Sequence, residues 1–327
     1  MMGVLKLEKN IFLIDWLTFT VKGATVDQVK ALIGMQAESI HWEPLGGCNG
    51  YPESEIYNGV RIMYGASDEM GICCNMSGTG CRSFETFGRG DWMDLFELLV
   101  VLGDNINITR CDLAFDDHTG VLDLQRIKLD TDDRNYTAKF QKWFIEYNSD
   151  GGMCLWYGSP KSKIRCRIYD KAAERGIPDE HWIRVELQLR DGNADSAVRY
   201  LHSGMRISSV FTGVLRNYLQ FRDPVEQDTN KSRWPIAEYW ANFLDGAAPL
   251  TLWVNPGSEY NLVNLQRFVI EQAGNAFQCM IAIYGFDGLL DRLRQAKPLH
   301  KLPPKYQNLI DLAARDGGGF LYDETHS

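Results

Sequence analysis

Hydrophobic and polar positions alternate along residues 163–171 (KIRCRIYDK) without a break. Ile164, Cys166 and Ile168 fall on one side, and Arg165, Arg167 and Tyr169 on the other. A β-strand has a side-chain period of two, so this run predicts a half-buried strand with two guanidiniums and a phenol on its polar face. Residues 182–190 repeat the pattern, with Ile183, Val185, Leu187 and Leu189 set against Arg184, Glu186, Gln188 and Arg190. Residues 109–117 do so again: Cys111, Leu113 and Phe115 point toward a core, and Arg110, Asp112 and Asp116 away from it.

The same reading along the chain predicts strands at 11–21, 106–117, 154–157, 163–170 and 181–190, and a strand pair at 59–66 and 71–76 around Ser67-Asp-Glu. At 77–85 a strand is expected to end in a Gly-rich turn and resume. Helical spacing predicts helices at 25–33, at 92–102 with Asp91 as N-cap, and at 136–147, 193–202 and 211–221, with a short turn at 171–175. Residues 119–133 read as loop. A polar stretch with a proline at 222–231 marks a boundary between residues 1–222 and 223–327. Beyond it the pattern is mainly helical, at 235–244, 262–273 and 285–294, until Pro298, Pro303-Pro304 and the glycines at 317–319 break the tail. The expected class is α+β: a predominantly antiparallel central sheet flanked by helices, with a mainly helical C-terminal appendage.

At 327 residues, 45% apolar and 24% charged, the composition is that of an ordinary globular chain. No apolar run approaches the roughly 20 residues of a membrane span. The N-terminus also lacks the basic, apolar, small-residue order of a signal peptide, so a cytoplasmic protein with no membrane partner is expected. The eight cysteines form no CxxC pair and the six histidines no His-x-His pair, so free thiols and no zinc site are expected. A net charge of −9 argues against a nonspecific polyanion binder. Positive charge nevertheless clusters at 161–171 and recurs at Arg199, Arg206, Arg216 and Arg222.

If the three alternating strands are neighbours, one sheet face presents a tyrosine, several arginines and the carboxylates Asp112, Asp116 and Glu186. Asp112 and Asp116 stand about 13 Å apart along their strand, too far to chelate one ion together without a bend. Glu85 is a further oxygen donor and Arg82 a phosphate contact, although Gly78-Thr-Gly80 matches neither a P-loop nor a dinucleotide fingerprint. Carboxylates from separate strands suit a hard divalent cation, Mg²⁺ or Mn²⁺. Tyr169 could attack phosphorus, but a phenol with a free pKa near 10 needs help to lose its proton. The plain alternative stays open here: the wet face of an antiparallel sheet, with Arg184 and Glu186 in cross-strand pairs and Asp116-Asp117 capping a turn.

Six segments in order, 14–20 (IDWLTFT), 77–82 (SGTGCR), 109–117 (TRCDLAFDD), 164–171 (IRCRIYDK), 184–189 (RVELQL) and 214–222 (VLRNYLQFR), resemble the Rep_trans replication initiation factors. That family includes rolling-circle plasmid initiators and related relaxases of conjugative elements. The resemblance implies a metal-dependent, strand-specific DNA nickase whose catalytic tyrosine is Tyr169. Acidic metal ligands would replace a His-hydrophobic-His motif; matched by motif they are Glu85, Asp112 and Glu186, with Asp116 as a substitute. On this reading Arg82, Arg165, Arg167 and Lys171 are expected to position the phosphate, with Arg167 and Lys171 joining Tyr169 in the catalytic set. The 5′-phosphate would stay on Tyr169 and a 3′-hydroxyl would be left for a host polymerase, with a host helicase as a further partner. Recognition of an inverted repeat in origin or transfer-site DNA would favour a homodimer. The acidic pI and long C-terminal region depart from compact plasmid initiators, which leaves a plasmid, a phage or a conjugative element as the source. Two rivals are a non-catalytic DNA-binding regulator on the same fold and a metal nuclease that uses activated water.

Overall fold

Leu17, Phe19, Cys111, Leu113, Val185 and Leu187 alternate onto one face of a single large sheet, and that face is the core. The computed structural model describes residues 10–149, 151–244, 274–296 and 310. Its ten-stranded sheet contains β1 (Ile11–Val21), β2 (Glu43–Gly46), β3 (Glu53–Tyr57), β4 (Val60–Tyr64), β5 (Ile72–Met76), β6 (Ile106–Asp117), β8 (Trp143–Tyr147), β9 (Met153–Tyr157), β10 (Ile164–Asp170) and β11 (Ile183–Arg190). The order is β2-β3-β4-β5-β1-β6-β11-β10-β9-β8, and every pairing is antiparallel. A separate ribbon pairs β7 (Tyr136–Ala138) with β12 (Leu219–Phe221). The three strands with alternating polar residues are therefore adjacent, β6-β11-β10, near the middle of the sheet.

Among the described residues the helices are α1 (Val26–Leu32), α2 (Gly78–Phe87), α3 (Trp92–Val101), α4 (Leu124–Asp132), α5 (Lys171–Glu174), α6 (Gly192–His202), α7 (Ile207–Tyr218), α8 (Glu238–Leu244) and α9 (Gly274–Ala296). Val29, Phe84, Leu99, Ile127, Val198, Phe211 and Trp240, contributed by seven of these helices, join the strand residues in one core. The helices thus bury the apolar sheet face and leave the charged face of β6, β11 and β10 to the site. Caps fix their starts: the Thr25 and Gln28 side chains form a reciprocal capping box on α1, and Asp91 accepts from Met93 and Asp94 N–H at the head of α3.

Several segments differ from the sequence reading: β2 and β3 have no counterpart in it, the last three residues of the expected helix at 211–221 form β12, and three further segments change class. Residues 77–85 form a helix, α2, rather than a strand interrupted by a turn. Ser77 caps it by accepting from Gly80 N–H, and Gly80 is required by contact with backbone, while Gly78 packs against the Asp15 side chain. A Cβ at Gly80 would lie 2.3 Å from the Gly59 carbonyl oxygen, and one at Gly78 would lie 2.9 Å from Asp15 Oδ1. Inside the expected loop 119–133 lies α4, capped by Asp123 and laced by Arg126–Asp130 and Lys128–Asp132 pairs at i,i+4. The expected helix at 136–147 is instead β7, a connection and β8, because the aromatic run of β8 pairs with β9 in a hairpin.

The chain divides into two units, Met1–Trp253 and Val254–Ser327. The polar stretch at 222–231 is a loop within the first unit: after it Trp240 packs edge-on against Phe221 at 4.8 Å, and Phe243 lies 4.9 Å from Phe115. In the second unit α9 is broken at Gly285, where φ is 73°. The expected helix at 262–273 and the tail glycines lie outside the described residues. Among those residues no helix is long and apolar enough to cross a membrane.

Candidate active site

Strand register lays the polar face out as rows. One row runs Trp16, Asp112, Gln188 and Arg165 across β1, β6, β11 and β10. The next runs Ala114, Glu186, Arg167, Trp156 and Phe144 across β6, β11, β10, β9 and β8. The third runs Asp116, Arg184, Tyr169, Cys154 and Glu146. Asp112, Asp116, Glu186, Arg165, Arg167 and Tyr169 thus stand on one face, as their alternation predicts.

A further acid joins them from β1. The pairing of β1 with β6 shifts between Ile14 and Trp16, so Asp15 is the extra residue of a β-bulge. The bulge reverses the phase of the strand: Phe12 and Ile14 face the core before it, and Leu17, Phe19 and Val21 after it. The sequence carried a signal here, since Asp15 is a lone acid in phase with Leu13, Leu17 and Phe19. The bulge frees its carboxylate to accept from Arg184 Nη1 at 2.8 Å.

Each carboxylate is gripped by an arginine. Arg184 donates from Nε and Nη2 to Asp116 at 2.6 and 2.7 Å, a two-point fork between groups that are both buried. Arg110 donates from Nε and Nη2 to Asp112, and its guanidinium lies 3.8 Å over the Trp16 ring. Arg167 donates from Nη2 to Glu186 Oε2 at 2.6 Å. The acids still repel one another. Burial pushes the Asp112 carboxyl up to about 7; Arg110 opposes the shift, and Glu186 and Asp15 add to it. Glu186 is raised too, by burial first and then by Asp15 against the pull of Arg167.

Tyr169 is 5% exposed, and its hydroxyl has no hydrogen-bond partner. Burial raises its pKa above the ordinary phenol value, Glu186 raises it further, and Arg167 and Arg184 pull it down. The guanidinium of Arg167 lies 4.5 Å, and the ammonium of Lys171 5.5 Å, from the ring centre. Lys171 is buried and paired with Glu174. The Nε atoms of Arg165 and Arg167 are also buried and unpartnered. Three alternate residues of one strand therefore each leave a buried polar atom unused on the same face, where nearly all such atoms find partners.

Glu85 and Arg82 stand apart from these rows, on α2. Glu85 accepts from Trp92 Nε1 at 2.7 Å and pairs with Arg82, which donates to the Ile14 carbonyl oxygen at 2.6 Å. Asp117, 0% exposed, accepts from the N–H groups of Thr119, Gly120 and Leu122 and so caps the turn after β6. Sequence reasoning missed Asp15 and the pairing of Arg110 with Asp112; the cross-strand pairing of Arg184 and of Glu186, and the turn-capping aspartate, are among the alternatives it left open.

Two family models cover this architecture: the replication initiation factor model matches residues 106–293, and the N-terminal domain model of rolling-circle replication initiation proteins matches residues 11–100. The chain belongs to the replication initiation factor family. This initiation factor is 25% identical over 267 residues to a protein described as a putative DNA relaxase, NicK, from Bacillus subtilis (strain 168). That match covers 76% of this chain and 75% of the other. It is also similar to the solved structure of a rolling-circle replication initiator protein from Geobacillus stearothermophilus, with 31% identity and a TM-score of 0.67, over 75% of this chain and 99% of that one.

Proposed function

We propose that this initiation factor is a DNA nickase and strand transferase that starts rolling-circle replication or conjugative transfer. The observation that carries the reading is the trio of unpartnered buried atoms on β10, the Tyr169 hydroxyl and the Nε donors of Arg165 and Arg167. A phosphodiester suits all three: its non-bridging oxygens accept from guanidiniums and its phosphorus is an electrophile for the phenol.

Tyr169 Oη attacks phosphorus, forming a phosphotyrosine bond as the bond to the 3′-oxygen breaks. The 3′-oxygen leaves with the bonding electron pair and takes a proton from solvent water to become the 3′-hydroxyl. The phenol proton passes to a carboxylate of the cluster, and Glu186 is the acid whose charge acts most on the phenol. Arg165 and Arg167 hold the phosphate, and Lys171 adds positive charge beside the ring.

The acids also suit a divalent cation. Asp112 and Glu186, with Asp15 beside them, are hard oxygen donors, and burial first, with the neighbouring acids adding to it, holds the Asp112 carboxyl well above the usual carboxylate range. Among the described residues no three His, Cys, Asp or Glu side chains are grouped so as to hold an ion as they stand, and arginines contact the oxygens of Asp112 and Glu186. Binding therefore calls for Arg110 or Arg167 to yield. Bound there, Mg²⁺ or Mn²⁺ would neutralise charge on a non-bridging phosphate oxygen. Asp116, locked by Arg184, serves the framework in this reading, and Glu85 and Arg82 join β1 to α2.

We assign the nicking to the first unit and an accessory DNA- or partner-binding role to the C-terminal region. Origin or transfer-site DNA with an inverted repeat, host helicase and polymerase, a homodimer and a cytoplasmic location complete the proposal. The test is incubation with supercoiled plasmid bearing the inverted repeat nearest the gene, with Mn²⁺. Nicked circles from the native chain and none from Tyr169→Phe are expected. No nicking at all would make the protein a regulator, and undiminished nicking by Tyr169→Phe would make it a water-using nuclease.

A further inference from the structure

The polar face continues past Tyr169 toward the sheet edge, and there it becomes aromatic. Trp156 and Phe144 oppose each other across β9 and β8, with rings only 16° from parallel and centres 5.9 Å apart. The Arg165 guanidinium lies 4.1 Å from the Trp156 ring centre and 6.0 Å from that of Phe144. Arg167 bridges inward, 5.4 Å from Trp156 and 4.5 Å from Tyr169. The indole N–H of Trp156 donates to Glu146 at 2.7 Å, which fixes the plane of the ring.

These rings are not core residues. Their strand neighbours Trp143, Ile145, Leu155 and Tyr157 take the core face, and Trp156 and Phe144 alternate to the opposite side. Two large half-buried rings, held nearly parallel and topped by a guanidinium, make a ledge of π faces on the surface that carries the nucleophile. From β10 to β8 is two strand spacings, about 10 Å, the length of roughly three stacked nucleotides.

We propose that Phe144 and Trp156, with Arg165 over them, stack unpaired bases of the strand next to the scissile phosphate, so that the DNA is single-stranded when Tyr169 reaches it. The inference rests on the nickase reading and adds a specificity site to it. A stacked duplex offers proteins its base edges and phosphates, whereas an unpaired base offers a face. A ledge of rings therefore selects the unpaired strand and tolerates any base.

The test separates recognition from cutting by using the full chain with Tyr169→Phe as parent. Binding of a fluorescein-labelled 15-nucleotide strand and of the matching duplex is followed by anisotropy in Mg²⁺. Trp156→Leu keeps apolar bulk and removes the π face; it is expected to weaken single-strand binding about 5- to 150-fold and duplex binding less than twofold. Trp156→Phe, which restores a ring, should return to within about threefold of the parent. Thermal melting confirms that each variant is folded, and Phe144→Leu provides a second site should Trp156→Leu fail to fold. Unchanged single-strand affinity in the folded variants would overturn the ledge, as would equal losses for strand and duplex. If the parent binds neither DNA form, the nickase reading itself falls; if it binds and only the variants show no effect, the ledge alone falls.

Discussion

Arg167 covers the ring of Tyr169 at 4.5 Å, yet the Tyr169 hydroxyl beneath it has no hydrogen-bond partner. A buried hydroxyl that satisfies nothing weakens the fold, so the proposed chemistry, not stability, accounts for it. Tyr169→Phe is therefore expected to be as stable as the native chain or more stable, by about 1 kcal/mol. Urea unfolding checks this; a loss of more than about 1 kcal/mol would show that the hydroxyl has a structural partner.

Arg184 holds both Asp116 and Asp15. Replacing it with methionine keeps the length of the side chain but strands two carboxylates, one of them fully buried. Removing one member of a buried pair costs about 3–5 kcal/mol, and denaturant melts should show a loss of that size. The double change Arg184→Met with Asp116→Leu should recover much of it, because the apolar pair leaves only Asp15 without its arginine.

Gly80→Ala poses propensity against packing. Alanine favours a helix interior over glycine by about 1 kcal/mol, but the new Cβ of α2 would meet the Gly59 carbonyl oxygen at 2.3 Å. The clash is with backbone, so packing should win and the variant should lose about 1–3 kcal/mol in a urea melt. A gain in stability would mean that α2 and the β3–β4 turn are not in this contact.

Asp112 makes the metal-free protein sensitive to pH. Its carboxyl is raised to about 7 by burial first, with Glu186 adding to the shift, while the unfolded residue titrates near 3.9. Between those values the folded chain keeps a proton that the unfolded chain has released, so stability falls as pH rises from about 4 to 7. Melting temperatures of chelator-treated protein should decline across that window, and Asp112→Asn should flatten the decline. A melting temperature that rises through the same window in both proteins would contradict the shift.

The polar face that carries the candidate site was legible wherever one strand's alternation was enough to define it. β10, β11 and the 110–116 part of β6 each carry period-two patterns, and antiparallel neighbours in register turn three patterns into one surface. Asp15 was harder: a bulge inserts one residue, and periodicity alone does not show where a strand changes phase. That Arg184 and Glu186 pair across strands was readable, but which partner each takes, Asp116 for Arg184 and Arg167 for Glu186, depends on cross-strand register. At β8, Phe140, Trp143, Phe144 and Tyr147 fall at spacings of three and four that mimic a helix, and pairing with β9 overrides them. At α2, two glycines argued against a helix, but Gly80 is demanded by the backbone the helix touches.

The central claim is that Tyr169 becomes covalently joined to DNA, and peptide mass spectrometry tests it most directly. The native chain is incubated with its nicking substrate and Mn²⁺, denatured, treated with nuclease and digested with protease. A nucleotide adduct on the peptide containing Tyr169, absent from Tyr169→Phe, is the predicted result. Nicked DNA released with free 5′-ends, with no modified peptide or with the adduct on another residue, would contradict it.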